Sequence, residues 1–160
     1  MENHIFKFSI ELDKNILLEE IKSVNKNAVV YEDDREDSYL PNWKIIKHTF
    51  PYATDLICRL GLENYDVRPR YYILNKNTTL LMHKDLGTLC SINIILSENS
   101  APINIEGTNY YYNQALINTQ ALHGVTEPSQ QDRILFKLSI MNCDFISAKN
   151  IISSNLPILE

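Results

Sequence analysis

In the stretch "LLMHKDLGTLCSINIIL" (residues 80–96), His83 and Asp85 stand one residue apart between two apolar runs that read as buried β-strand. Residues two apart on a strand face the same side, so an imidazole nitrogen and a carboxylate oxygen can meet at one point. Burying such a pair without partners costs several kcal/mol, which calls for hydrogen bonds or a metal between them. A third donor is His123, near the end of the penultimate predicted strand. Two histidines and one carboxylate on a rigid β scaffold form a facial triad that suits non-haem Fe(II) and leaves three coordination positions open. Zinc fits the same donors, although a structural zinc site is normally closed by a fourth. His4 and His48 lie in the helix-containing half and are poor candidates. The competing reading is that His83 and His123 are separately satisfied core or surface histidines.

Chance alone gives an H-x-D match in roughly one sequence in five of this composition, so the motif is weak by itself. Arg133 strengthens it. If "TEPSQQD" (residues 126–132) is a turn between antiparallel strands, centring it near Ser129 pairs His123 with Leu135. Arg133 then lies diagonally across on the same face, roughly 7–8 Å away between Cα atoms. A register shift of one residue would turn it outward. A guanidinium pointing into the metal cavity is an expensive buried charge unless an anion meets it. A dicarboxylate bound to the metal at one end can present its other carboxylate to a bidentate arginine. The alternative, a surface arginine at a strand end, is the commoner fate of this residue type.

The elements that must position these side chains follow from patterning. "HIFKFSI" (residues 4–10) alternates like a strand, and in "DKNILLEEIKSV" Asp13 is the expected N-cap of a helix carrying Leu17, Ile21 and Val24 inward. A loop is expected from Tyr31 to Trp43, broken by Pro41, and a second helix at "YATDLICRLG", stopped by Gly61. From Asp66 onward eight short segments read as strands: "VRPRYYIL", "TLLMH", "TLCSINIIL", "PINIEG", "TNYYYN", "QALINT", "ALHGV" and "RILFKLSI". The fold class expected is mainly β with N-terminal helices on one outer face: a double-stranded β-helix, that is, a cupin-like jelly roll. The residues after Asp144 carry no assignment.

A chain of 160 residues, 44% hydrophobic, fits one domain spanning 1–160, with helical support at about 11–62 and a jelly-roll core at about 66–141. The net charge of −5 argues against a nucleic-acid binder, which needs clustered Lys and Arg. Cys58, Cys90 and Cys143 are odd in number and far apart, which suits reduced thiols in a cytoplasmic protein. No leader pattern and no run of 18 apolar residues is present, so a soluble protein without a membrane partner is expected. The acidic run Glu32, Asp33, Asp34, Glu36 and Asp37 suits a basic peptide, but solvation is the commoner role of such a run.

H-x-D, a distal histidine and an arginine ten residues after it, inside a jelly roll, resemble the Fe(II)/2-oxoglutarate-dependent oxygenases. The likeness runs from about Val67 to Ile140 through "MHKDLGTLCSINIILS", "APINIEG" and "ALINTQALHGVTEPSQQDRILFKLSI". The branches most similar are the aspartyl/asparaginyl hydroxylase-like and prolyl hydroxylase-like ones. The chain departs from the latter by having "SAPINIEG" where a Gly-Gly-Glu-Thr-like segment is usual. The resemblance implies Fe(II) on His83, Asp85 and His123, and 2-oxoglutarate chelating it with the distal carboxylate on Arg133. It also implies O2 as oxidant, with ascorbate as a possible reductant. Tyr72 and Asn93 are further candidates for the cosubstrate's carboxylates. Asn93 lies opposite the apolar face of Cys90, Ile92, Ile94 and Leu96, and a solvated position is the preferred alternative there. The implied reaction is hydroxylation of an unactivated C–H bond in a protein or peptide residue, a free amino acid or another small molecule. Two rival readings remain: a cupin-like metal enzyme without 2-oxoglutarate, which has no need of Arg133, and a non-catalytic jelly-roll binding module.

Overall fold

The computed structural model describes residues 4–24, 29–30, 43–47, 51–98 and 100–156. The acidic run at 32–37, Pro41 and His48 lie outside them. The elements in chain order are β1 (Ile5–Lys7), α1 (Lys14–Val24), β2 (Val29–Val30), β3 (Trp43–Lys47), α2 (Pro51–Arg59), β4 (Val67–Leu74) and β5 (Leu80–His83). They continue with β6 (Cys90–Ile95), β7 (Ile103–Ile105), β8 (Thr108–Tyr110), β9 (Gln114–Ile117), β10 (His123–Val125), β11 (Arg133–Ile140) and α3 (Phe145–Asn155). All eight segments expected as strands after Asp66 contain one.

The strands form two antiparallel sheets, one ordered β1-β9-β6-β11-β4-β3-β2 and the other β5-β10-β7-β8. From β4 to β11 the chain passes repeatedly from the large sheet to the small one and back. The result is a double-stranded β-helix, with an interior between the sheets toward which alternate residues of each strand point. β11 is the spine: it pairs with β4 along its whole length and with β6 from Leu135 to Ile140. Its sequence "RILFKLSI" divides by parity. Phe136, Leu138 and Ile140 join the cluster beneath the helices, while Arg133, Leu135, Lys137 and Ser139 turn to the interior.

The register assumed between His123 and Arg133 is corrected by this topology. The two strands are not a hairpin: β10 pairs with β5 and β7 in the small sheet, and β11 belongs to the large one. Residues 126–132 carry the chain across. Their Ser129 carbonyl accepts from Asn77 N–H at 2.8 Å and Ser129 Oγ accepts from Ala101 N–H at 2.8 Å, ties to other loops that a tight turn would not make. His123 and Arg133 therefore reach the same interior from opposite sheets.

Three helices cover the outer face of the large sheet. Asp13 caps α1, its Oδ1 accepting from Asn15 N–H at 2.9 Å and Ile16 N–H at 3.4 Å. α2 begins on Pro51, whose missing N–H costs nothing there. It ends with Gly61 at φ 80°, where Gly61 N–H reaches Cys58 O and Leu62 N–H reaches Ile57 O, both at 3.0 Å. α3, which the sequence reading left unassigned, is capped by Asp144 through Ser147 N–H at 2.8 Å. Leu17, Ile21, Ala53, Leu56, Phe145, Ala148 and Ile152 from the three helices pack on Tyr71, Cys90, Ile92, Ile94, Leu116 and Phe136 of the sheet. At about 1.5–3 kcal/mol per large apolar side chain, this layer dominates the hydrophobic stabilisation.

The expected loop from Tyr31 to Trp43 is corrected at its end, where Trp43 opens β3. That strand forms because β4 offers a free edge, and residues 43–47 pair with it in register. The three cysteines are free. No helix among the described residues is long and apolar enough to cross a membrane.

Candidate metal and cosubstrate site

His83 ends β5 and His123 begins β10, and the two are direct cross-strand partners with ring centroids 4.4 Å apart. β10 comes close enough to β5 for this because residue 124 is glycine: a Cβ there would lie 2.6 Å from Leu80 O. Asp85 follows β5. Its N–H donates to Thr119 O at 3.0 Å and its carbonyl accepts from Gln120 Nε2 at 3.0 Å, which aims its side chain back at the histidines. Asp85 Oδ1 lies 3.3 Å from His83 Nε2 and 3.3 Å from His123 Nε2, and the donor atoms of the three residues fall within 4.8 Å of one another.

The tautomers follow from the backbone. His83 Nδ1 is 2.7 Å from Leu81 O and His123 Nδ1 is 2.8 Å from Ala121 O. A carbonyl oxygen only accepts, so both Nδ1 atoms carry protons and each neutral imidazole turns an Nε2 lone pair toward Oδ1. Two lone pairs and a carboxylate oxygen facing one another need positive charge between them, from imidazolium protons or a cation. The donor set, with each ring held from behind by a carbonyl, is of the kind that ligates a divalent first-row metal.

The other oxygen of Asp85 is held by a residue that the sequence reading did not single out. Lys137 Nζ lies 3.0 Å from Asp85 Oδ2 and 5.1 Å from the centroid of the Tyr72 ring, and the residue is only 8% exposed. Burial opposes the charged form of Asp85. The Lys137 ammonium beside Oδ2 is the foremost influence that outweighs it, and the carboxyl is held well below its usual range. The signal for Lys137 was present in the alternation of "RILFKLSI", which places it on the same face as Arg133.

Arg133, 3% exposed, donates from one terminal nitrogen to Tyr112 Oη at 3.2 Å, while its buried Nε has no hydrogen-bond partner among the described residues. Asn93 Nδ2 donates to the same phenol oxygen at 3.2 Å, and Asn93 Oδ1 accepts from Ser91 Oγ at 2.8 Å. The preferred reading of Asn93 as solvated is thus corrected: it is 6% exposed, because helices cover one face of β6 and the interior lies against the other. Tyr72 is also buried and turned inward, among Leu74, Leu80, Ile95 and Leu135. Arg133, Tyr112 and Ile95 are among the residues that line a cavity of about 540 Å³, together with Lys14, Ser97 and Glu98. Tyr112, in the run Tyr110–Tyr112 that must alternate between faces, is a second participant whose contacts with Arg133 and Asn93 only the structure shows.

No known family model and no curated protein matches this chain at the sequence level. Solved structures do match in fold. A prolyl-4-hydroxylase from Pseudomonas putida superposes with a TM-score of 0.62 at 12% identity, covering 87% of this chain and 93% of that one. A prolyl hydroxylase from Trichoplax adhaerens, in complex with a hypoxia inducible factor peptide fragment, gives 0.60 at 12% identity over 92% and 85%. A viral collagen prolyl hydroxylase from Paramecium Bursaria Chlorella virus-1, in a 2OG complex, gives 0.57 at 8% identity over 86% and 95%. The chain therefore has the double-stranded β-helix fold of these hydroxylases. At such low identity the likeness is one of fold, and the chemistry must be argued from the residues themselves.

Proposed function

We propose that this protein is an Fe(II)- and 2-oxoglutarate-dependent dioxygenase that hydroxylates an unactivated C–H bond, with a peptide residue as the first substrate class. The observation that carries the reading is one interior holding both a converged His-Asp-His donor set and a buried guanidinium whose Nε lacks a partner among the described residues. Iron with 2-oxoglutarate supplies the oxidising chemistry, in which O2 converts the cosubstrate to succinate and CO2 as the substrate is hydroxylated.

The protein's own part is to bind and orient. His83, Asp85 and His123 hold the metal through Nε2, Oδ1 and Nε2. Arg133 receives the distal carboxylate of 2-oxoglutarate, and Tyr112 and Asn93 steady that end through the phenol oxygen they share. Tyr72 supplies an apolar wall on the side of Lys137. Among the described residues the buried cations are Lys137 and Arg133; Lys137 is paired with the half-buried Asp85, which leaves the charge of Arg133 for an anion entering beside it. A metal enzyme without 2-oxoglutarate gives Arg133 nothing to bind.

A peptide substrate is supported by the peptide complex of the Trichoplax protein. It is also supported by Leu86 and Leu122, the chain neighbours of Asp85 and His123, which are 66% and 38% exposed and offer apolar surface beside the site. The test needs no known substrate. With Fe(II), ascorbate, 2-oxoglutarate and O2, the protein is expected to release succinate above a His83→Ala control, and peptides bearing Pro, Asp or Asn are expected to raise the rate. Iron bound by the wild type with no succinate above the control, across such panels, would favour a binding module.

A further inference from the structure

Lys137 stands out because burying an ammonium at mid-strand is costly, and little around it requires one. Its lateral partners in the large sheet are Arg70 on β4 and Asn93 on β6, neither of them an anion. The carboxylate it does reach, Asp85, comes from the opposite side of the interior, and only one of its two oxygens is taken: Oδ2 at 3.0 Å. The other, Oδ1, is the atom that both histidines face at 3.3 Å. The two oxygens of one carboxylate are thus divided between a cation fixed on β11 and the His-Asp-His focus.

We propose that Lys137 is a positioning residue that keeps Asp85 a one-oxygen ligand: by retaining Oδ2 it presents Oδ1 alone with the two imidazoles, and three positions of a six-coordinate ion stay open. The inference rests on reading His83, Asp85 and His123 as the metal site. A carboxylate ligand binds through one oxygen or through both, and the choice depends on what else holds the second oxygen. If Oδ2 joined the metal, the three residues would fill four positions. A chelating cosubstrate would then take the last two, and none would be left. The geometry supports this role: the Tyr72 ring lies 5.1 Å from Nζ, a contact that favours a cation there.

The test uses Mn(II) as probe, with its affinity and the number of exchangeable inner-sphere waters read from water-proton relaxation. Lys137→Met preserves the length of the stem and removes the charge, whereas Lys137→Arg keeps a cation within reach of Oδ2. The methionine variant is expected to bind Mn(II) still, to show one inner-sphere water fewer than wild type, and to release succinate about 10–100-fold more slowly, the usual range for a group that orients a ligand. The arginine variant is expected to keep the wild-type water count, which gives a readout even where the methionine variant does not fold. A wild-type count in Lys137→Met, or a lost water in Lys137→Arg, would overturn the role of Lys137 and leave the metal site standing. Mn(II) binding by wild type that His123→Ala leaves unchanged would overturn the metal site itself.

Discussion

At the scale of single residues, Arg133 separates an oxygenase that uses 2-oxoglutarate from a metal protein that does not. Its buried Nε has no partner among the described residues, and one terminal nitrogen donates to the Tyr112 phenol oxygen. An unsatisfied buried donor is costly, and a carboxylate arriving in the cavity would relieve it. Arg133→Ala is expected to weaken 2-oxoglutarate binding to Mn(II)-loaded protein by about 2–5 kcal/mol while metal affinity stays near wild type. Arg133→Lys should recover only part of that, because an ammonium lacks the planar fork. Calorimetric titration of the three proteins without oxygen checks this, and equal affinities would mean that the guanidinium binds something else. The face that Arg133 shares with Leu135 and Lys137 was legible from "RILFKLSI", but its inward direction was not, because the hairpin used to argue it does not exist. Parity within a strand survives an error about which strand lies beside it, because alternation is local and pairing is not. The contacts of Lys137 and Tyr112 were hidden for the opposite reason, since their partners are 52 and 21 residues away in sequence.

At the scale of elements, the site depends on how closely β5 and β10 approach. Gly124 permits the approach, and the Leu81 carbonyl that a Cβ at 124 would meet at 2.9 Å is also the one that orients His83. Gly124→Ala is therefore expected to push β5 outward, turn the His83 ring and lower Mn(II) affinity at least about 10-fold, while the large sheet and its helices remain folded. Circular dichroism would report the fold and a metal titration the affinity; an unchanged affinity would show that the two strands can part without disturbing the donors. All eight strands after Asp66 were readable because each is a short alternating run closed by turn residues. β3 was not, since "WKIIK" is defined by its pairing with β4 more than by its own pattern. The helix α3 carried a readable signal in Asp144 followed by inward Phe145, Ala148 and Ile152, but its place in the fold is set by the sheet it covers.

At the scale of the whole molecule, the two sheets have different roles. The large sheet is anchored on its outer face by the helices and presents Arg133, Lys137 and Asn93 inward. The small sheet supplies His83 and His123 from adjacent strands, with Asp85 just beyond. The residues proposed for metal and for cosubstrate thus come from opposite walls of one interior, and a ligand that touches both must bridge the sheets. Such bridging orders two components that would otherwise bind separately, so the optical signature of the pair should require both. Anaerobic titration with Fe(II) and then with 2-oxoglutarate tests this most directly. A weak visible charge-transfer band is expected only after both are present, and it should be absent in His123→Ala and shifted to higher 2-oxoglutarate concentration in Arg133→Ala. Fe(II) binding at His83, Asp85 and His123 with no band at saturating 2-oxoglutarate would contradict the assignment as a 2-oxoglutarate-dependent oxygenase.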